Sequence, residues 1–186
     1  MNAHEPRPRI VVKVGGSLYD LPDLRTRLRL YLATLADADL LLVPGGGPTA
    51  DVVRGLDRVH SLGEGKSHWL ALRALTLNGH FLHALLPEFE VSADVLAPRP
   101  RMIVDMHAFA LADEEREESL AHRWDVTSDS LAVRVAHVTA AREIILIKSV
   151  PWLGDIESAA RAGHVDASFL DTLRRQPLPV RWHCMR

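Results

Sequence analysis

An open, mostly parallel α/β sheet with helices on both faces is the fold class that this sequence predicts. Three observations lead to it. Short runs rich in Val, Ile and Leu recur along the chain, and such continuous apolar runs fit strands buried on both faces. Most of these runs stop at a turn signal, the clearest being Gly15-Gly16 and Pro44-Gly45-Gly46-Gly47. Between them lie segments with helical periodicity, and alternation of strand with helix argues for a doubly wound α/β/α sandwich.

The elements follow in order. "RIVVKV" (9–14) is the first strand, and a helical pattern spans 21–35. "DLLLV" (39–43) is the second strand and ends in the triple glycine, with Pro48 suited to the first position of a helix over 48–59. A helical pattern spans 66–86, and its most apolar stretch, 69–86, contains Arg73, Asn78, His80 and His83, so it reads as a buried helix rather than a membrane span. "RMIVDM" (101–106) reads as a strand ending in a loop, and the charge run "DEEREES" (113–119) as a solvated loop or helical turn. A helix over 128–141 leads to the strand "EIILIK" (143–148), which ends at Ser149. Short helices over 156–162 and 167–174 precede a last strand, "PVRWH" (179–183). With no internal repeat or long linker, residues 1–186 are expected to form one domain.

Composition narrows the function. The 186 residues are 47% apolar and 25% charged with a net charge of −2, an ordinary globular balance with no basic footprint for nucleic acid or an anionic membrane. The single Cys184 excludes an intrachain disulfide and a cysteine zinc site. The start "MNAHEPRPR" is a polar arm without a secretion signal, so a cytoplasmic location is expected. His80 and His83 have helical spacing but no acidic partner nearby in sequence, so no metal ligands are assigned.

Lysine usage is the first pointer to chemistry. Of 22 basic residues three are Lys, namely Lys13, Lys66 and Lys148. An ammonium is a compact point charge suited to a moving phosphoryl group, whereas a guanidinium is a planar fork. Lys13 sits inside an apolar strand, where an unpaired ammonium is costly. Paired and triple glycines after strands let backbone N–H groups approach an anion, and the helices that follow add positive dipole ends. Ligands of open α/β sheets bind beyond the strand carboxyl ends, where Lys13, the Gly45–Gly47 run and Lys148 all stand. Arg54 is placed to reach an acidic group on a ligand, and Lys66 stands at a helix start or on the substrate side. "HSLGEGKS" lacks the leading glycine and preceding strand of a P-loop. In "RWDVTSDSLAVRVA" (123–136), three hydroxyls and two carboxylates precede an apolar helix. One of them is needed as an N-cap, and Ser130 or Thr127 suits that role.

The pieces "KVGGSL", "VPGGG", "TSDSLA" and "LIKSV", taken in order, resemble the amino-acid kinase family, which includes acetylglutamate, glutamate, aspartate, uridylate and isopentenyl phosphate kinases. The resemblance implies phosphoryl transfer from ATP with Mg²⁺ and no covalent enzyme intermediate. By position, Lys13 would hold the transferring phosphoryl group, with Gly15, Gly16 and Ser17 lining the phosphate path. Asp129 would orient the lysines, and Lys148 with Ser149 would lie on the nucleotide side. Gly45, Gly46 and Gly47 would cradle the acceptor.

The longer contexts "HWLAL" (68–72) and "WDVTSDSLA" (124–132) are most similar to a short-chain branch that phosphorylates an aminomethylfuranmethanol phosphate to its diphosphate in methanofuran biosynthesis. Such an acceptor carries a phosphate and an ammonium, so Arg54, Lys66, His68, Asp125 and Ser128 are the expected substrate contacts. Asp125 stands equally as a partner behind the site or a loop residue. One departure is plain: the family's aspartate-glycine turn after the late lysine is replaced here by "KSVPWLGD". Because 38 residues follow Lys148, the resemblance also implies a shortened C-terminal nucleotide half, with Trp152 either a stacking face or a core residue.

Two alternatives compete. One is a regulatory or binding subunit that has lost turnover. The other is an isopentenyl-phosphate-type kinase, although "GGGPTADVVR" lacks the histidine those members carry after the triple glycine. The apolar helix 66–86 is a candidate face for a homo-oligomer.

Overall fold

Strand alternation sets the architecture. In β1 (Arg9–Val14), Ile10, Val12 and Val14 point to one side, while Val11 and Lys13 point to the other. The same division holds in β2 (Asp39–Pro44) and β5 (Glu143–Lys148), so both faces of the sheet must be covered. The computed structural model describes residues 7–186; most of the expected polar arm lies outside the described residues.

Six strands form one sheet in the order β3-β4-β2-β1-β5-β6, every pairing parallel. The remaining strands are β3 (Glu90–Ser92), β4 (Arg101–Val104) and β6 (Val180–Cys184). One face is covered by α1 (Leu24–Ala33), through Leu24, Leu28 and Leu32, and by the end of α3 (Glu64–Leu85), through Leu82. The other face carries the start of α3, α4 (Met106–Asp113), α5 (Ser128–Val138) and α7 (Phe169–Arg175). The helices α2 (Gly47–His60) and α6 (Ile156–Arg161) complete the set.

The sheet is therefore the open parallel one expected, with three departures. The strand around Met102 runs directly into α4, because the Asp105 carboxylate accepts from the Ala108 N–H and caps that helix. The charge run is not wholly solvated, since Asp113 is buried and bonded to the buried Arg134 at 2.8 and 2.9 Å. The short strand β3 carries too few residues for an alternation signal.

Strand order is what assembles the site. β2, β1 and β5 are neighbours, so the Gly45–Gly47 loop, the Gly15–Ser17 loop and Ser149 emerge side by side at one end of the sheet. The two glycine loops touch so closely that a Cβ on Gly16 would lie 2.2 Å from the Gly47 nitrogen, and Gly47 itself has a φ of +51°. The glycines are thus required first by loop-to-loop packing.

Candidate functional site

Three charged side chains converge by simple periodicity. Lys13 lies two residues beyond Val11 on β1, and Lys148 two beyond Leu146 on β5, so both point to the face covered by α5. Asp129 stands in the first turn of α5, where a carboxylate is favoured by the helix dipole. Its Oδ1 lies 2.8 Å from Lys13 Nζ and 2.7 Å from Lys148 Nζ. All three are nearly out of solvent, at 5%, 5% and 7% exposed for Lys13, Asp129 and Lys148. Burial pushes the Asp129 carboxyl up, but the two ammonium groups outweigh it and hold the group below its ordinary value. Burial and the neighbouring Lys13 push Lys148 down to about 8, against the pull of Asp129.

The two lysines are not equivalent. Lys148 donates to both oxygens of Asp129 at 2.7 and 2.8 Å and to the His164 carbonyl at 2.6 Å, which engages all three of its protons. Lys13 has one ion-pair partner among the described residues, and it borders a cleft.

That cleft, about 190 Å³, opens between α2, α3 and the start of α5. Gly16, Ser17, Gly46 and Gly47 form one side with Lys13 and Arg54, and the amides of Gly16, Gly46 and Gly47 make no hydrogen bond within the described residues. Leu72, Leu75, Val126, Leu131 and Trp124 form an apolar wall with Ala50 and Ala71, and His68, Thr127 and Ser128 complete the lining. No carboxylate lines it among the described residues. Two buried cations share one carboxylate here, so the triad carries a surplus positive charge beside unpaired amides. Such an arrangement stabilises an anion. The volume suits a phosphate and a small ring, whereas sites for larger ligands run to roughly 300 Å³ or more.

Other expected residues fall as follows. Ser17 and Ser149 meet across the strand ends, their hydroxyls 2.7 Å apart. Gly15 and Gly45 lie behind the cleft, bonded through their amides to the Ile147 and Val14 carbonyls. Arg54 pairs with Asp51 at 2.7 Å and sits 5.4 Å from the centre of the Trp124 ring. The His68 Nδ1 lies 3.1 Å from the Arg123 carbonyl, so it carries the proton, and burial holds the ring below its ordinary pKa and neutral. Lys66 is exposed and does not line the cleft, because the first turn of α3 points it to solvent. Asp125 does not line it either; its carboxylate is bonded to Arg123 at 3.0 Å. Trp152 is 43% exposed, 5.5 Å from Trp182, and so is not a core residue.

Two residues carry the site without belonging to any motif. Asn78, buried on α3, donates to the Gly45 and Gly46 carbonyls at 2.8 and 2.7 Å and accepts from the Thr49 hydroxyl, which pins the triple-glycine loop. An amide at a buried position of an apolar helix was the available signal. Asp166, in the loop between α6 and α7, receives four donors from Thr127 and Ser130. The expected cap by Ser130 or Thr127 is therefore replaced: Thr127 occupies the N-cap position, but both hydroxyls donate outward. Among the described residues no cluster of three metal-ligating side chains occurs, and no helix is long and apolar enough to cross a membrane.

Comparison with known proteins agrees with the fold. Residues 8–155 match the model of the amino acid kinase family. The (5-(aminomethyl)furan-3-yl)methyl phosphate kinase of Methanocaldococcus jannaschii is 28% identical over 152 residues, covering 78% of this chain and 68% of that protein. In fold, the chain is similar to the uridylate kinase of Archaeoglobus fulgidus, with a TM-score of 0.67, 14% identity and coverage of 95% of this chain and 90% of that one. It is similar also to the UMP kinase of Ureaplasma parvum, with a TM-score of 0.66, 16% identity and coverage of 96% and 90%. An aspartate kinase from Synechocystis gives 0.61 at 15% identity, with 93% of this chain matching 38% of that one.

Proposed function

The chain belongs to the amino acid kinase family and is a phosphotransferase, and from that premise we propose that it transfers a phosphoryl group from ATP to a small acceptor already bearing a phosphate. The acceptor we favour is an aminomethylfuranmethanol phosphate, converted to its diphosphate in the biosynthesis of a methanofuran-type cofactor. The observation that carries the reading is the buried triad with its surplus positive charge, opening on a cleft that has free amides, an apolar wall and no carboxylate among the described residues. The similarity to the archaeal furan phosphate kinase supports the finer assignment.

The residues suit the chemistry. An oxygen of the acceptor phosphate is an anionic nucleophile, so no general base is required. It forms the new bond to the γ-phosphorus as the bond to the β–γ bridging oxygen breaks, and that electron pair leaves with ADP. ATP supplies the transferred group. Lys13 and the amides of Gly16, Gly46 and Gly47 hold the charge that spreads over the equatorial oxygens. Asp129 fixes Lys13 in place, and Lys148 fixes Asp129. Ser17 and Ser149 lie at the strand ends toward the nucleotide side. The apolar wall of Leu72, Leu75 and Trp124 takes the ring, while Thr127, Ser128 and the neutral His68 receive the ammonium in place of Asp125. Among the described residues the triad offers Mg²⁺ no open carboxylate, because the Asp129 oxygens are engaged by the lysines.

The test is ADP formation and product mass with a panel of acceptors: aminomethylfuranmethanol phosphate, isopentenyl phosphate, UMP, glutamate and acetylglutamate. Turnover on the furan phosphate with a diphosphate product is expected. Turnover on another member replaces the acceptor assignment, and silence on all of them favours a regulatory subunit.

A further inference from the structure

We infer that Asp166 is a positioning residue for the ion triad, bracing Asp129 from outside the helix that carries it. The inference rests on the reading of Lys13, Asp129 and Lys148 as the transfer centre. A helix start leaves backbone N–H groups unpaired, and a local Ser, Thr or Asp usually accepts from them. In α5 that work is done by a carboxylate 36 residues further on. One oxygen of Asp166 accepts from the Thr127 N–H at 3.1 Å, the Thr127 hydroxyl at 2.8 Å and the Ser130 N–H at 3.0 Å. The other accepts from the Ser130 hydroxyl at 2.5 Å. These donors bracket Asp129, so the carboxylate fixes the helical turn from which Asp129 projects.

The same loop reaches the other side of the triad. Two residues before Asp166, the His164 carbonyl accepts from Lys148 Nζ at 2.6 Å. One short segment therefore grips both the helix bearing Asp129 and the lysine bonded to it. A structural cap would need only the two backbone amides. Recruiting both hydroxyls as well fixes rotation about the helix start, which is what aims Asp129 between two strands. Burial and the nearby Asp129 push the Asp166 carboxyl up, while its four donors oppose them, so this brace is kept against an electrostatic cost.

The chain has three lysines, so protein labelled with ¹³C at lysine Cε gives three signals, with exposed Lys66 as the internal reference. The measurement is the titration midpoint of the Lys148 signal in wild type, Asp166→Ala and Asp166→Glu, alongside melting temperature and kcat. Asp166→Glu keeps the charge but displaces the oxygens by one methylene, which separates placement from charge. If Asp166 positions Asp129, the Lys148 midpoint falls from about 8 by on the order of one pH unit in both variants, because its counter-charge moves away. On a turned-over acceptor, kcat falls on the order of tenfold or more with acceptor KM little changed. A wild-type Lys148 midpoint in both variants, with only a lower melting temperature, overturns the inference. So does a wild-type midpoint in Asp166→Glu alone, which would reduce the effect to charge. Should Asp166→Ala fail to fold, Asp166→Asn takes its place. The lysine titration reads out even if the whole acceptor panel is silent, so failure of the kinase reading and failure of the brace are told apart.

Discussion

Lys13 and Lys148 leave neighbouring strands toward one carboxylate, yet their surroundings differ in what they leave free. Lys148 spends every proton inside the protein, on Asp129 and the His164 carbonyl, and lies among α5, the α6–α7 loop and the Trp182 ring at 5.7 Å. Lys13 is tied at one point and borders the cleft beside amides that have no acceptor among the described residues. The difference divides labour within a buried charge cluster: one lysine holds the carboxylate, and the carboxylate holds the other lysine at the cleft. Burying two ammonium groups is costly, and their shared partner offsets this only while the geometry is kept.

The largest effect that would break this division is Asp129→Asn. It leaves two buried cations without a counter-charge, and we expect a stability loss of about 3–5 kcal/mol together with a fall in kcat of ~10²–10³-fold. Urea denaturation and steady-state kinetics check both. Asn78→Ala acts on the cleft side alone. It leaves the Gly45 and Gly46 carbonyls unpaired, at a cost of about 1–3 kcal/mol, and should raise acceptor KM more than it lowers kcat.

The Lys148 side is sharpened by pH. Its folded-state pKa of about 8 lies below the 10.5 of a free lysine, so between these values the unfolded chain binds more protons. Its contribution to stability therefore rises with pH from about 8 to 10.5, whereas below 8 the full cost of burying the charge is present. Melting curves across this window should show the rise in wild type and a flatter line in Lys148→Met. The smallest effect is expected at Lys66. Exposed and outside the cleft, Lys66→Ala should change kcat and acceptor KM by no more than about twofold, the scale of an ordinary surface substitution.

Much of this was legible in the sequence because it follows from short-range periodicity. The apolar runs of β1, β2 and β5 give the parallel sheet, and their glycine ends give the crevice. Lys13 and Lys148 fall at strand ends, and Asp129 falls in the first turn of a helix whose start its hydroxyls mark. What could not be read there depends on distant partners. Asp166 bonds to residues 36 and 39 positions earlier, and Asn78 to a loop more than 30 residues away. Lys66 and Asp125 illustrate the converse. Both have suitable chemistry near the site in sequence, but Lys66 faces solvent and Arg123 takes Asp125. The Asp113 run looked solvated because its buried partner, Arg134, lies in another helix. Side-chain direction and long-range pairing decide these cases.

Lys13 as the cation presented to the transferring phosphoryl group is the proposal on which the others depend. It is tested most directly by the single-turnover rate of phosphoryl transfer in Lys13→Ala against wild type, on the acceptor that the panel identifies. A fall of ~10²–10³-fold, with the melting temperature near that of wild type, is the predicted result. A Lys13→Ala protein that transfers phosphoryl at the wild-type rate would overturn that role for Lys13.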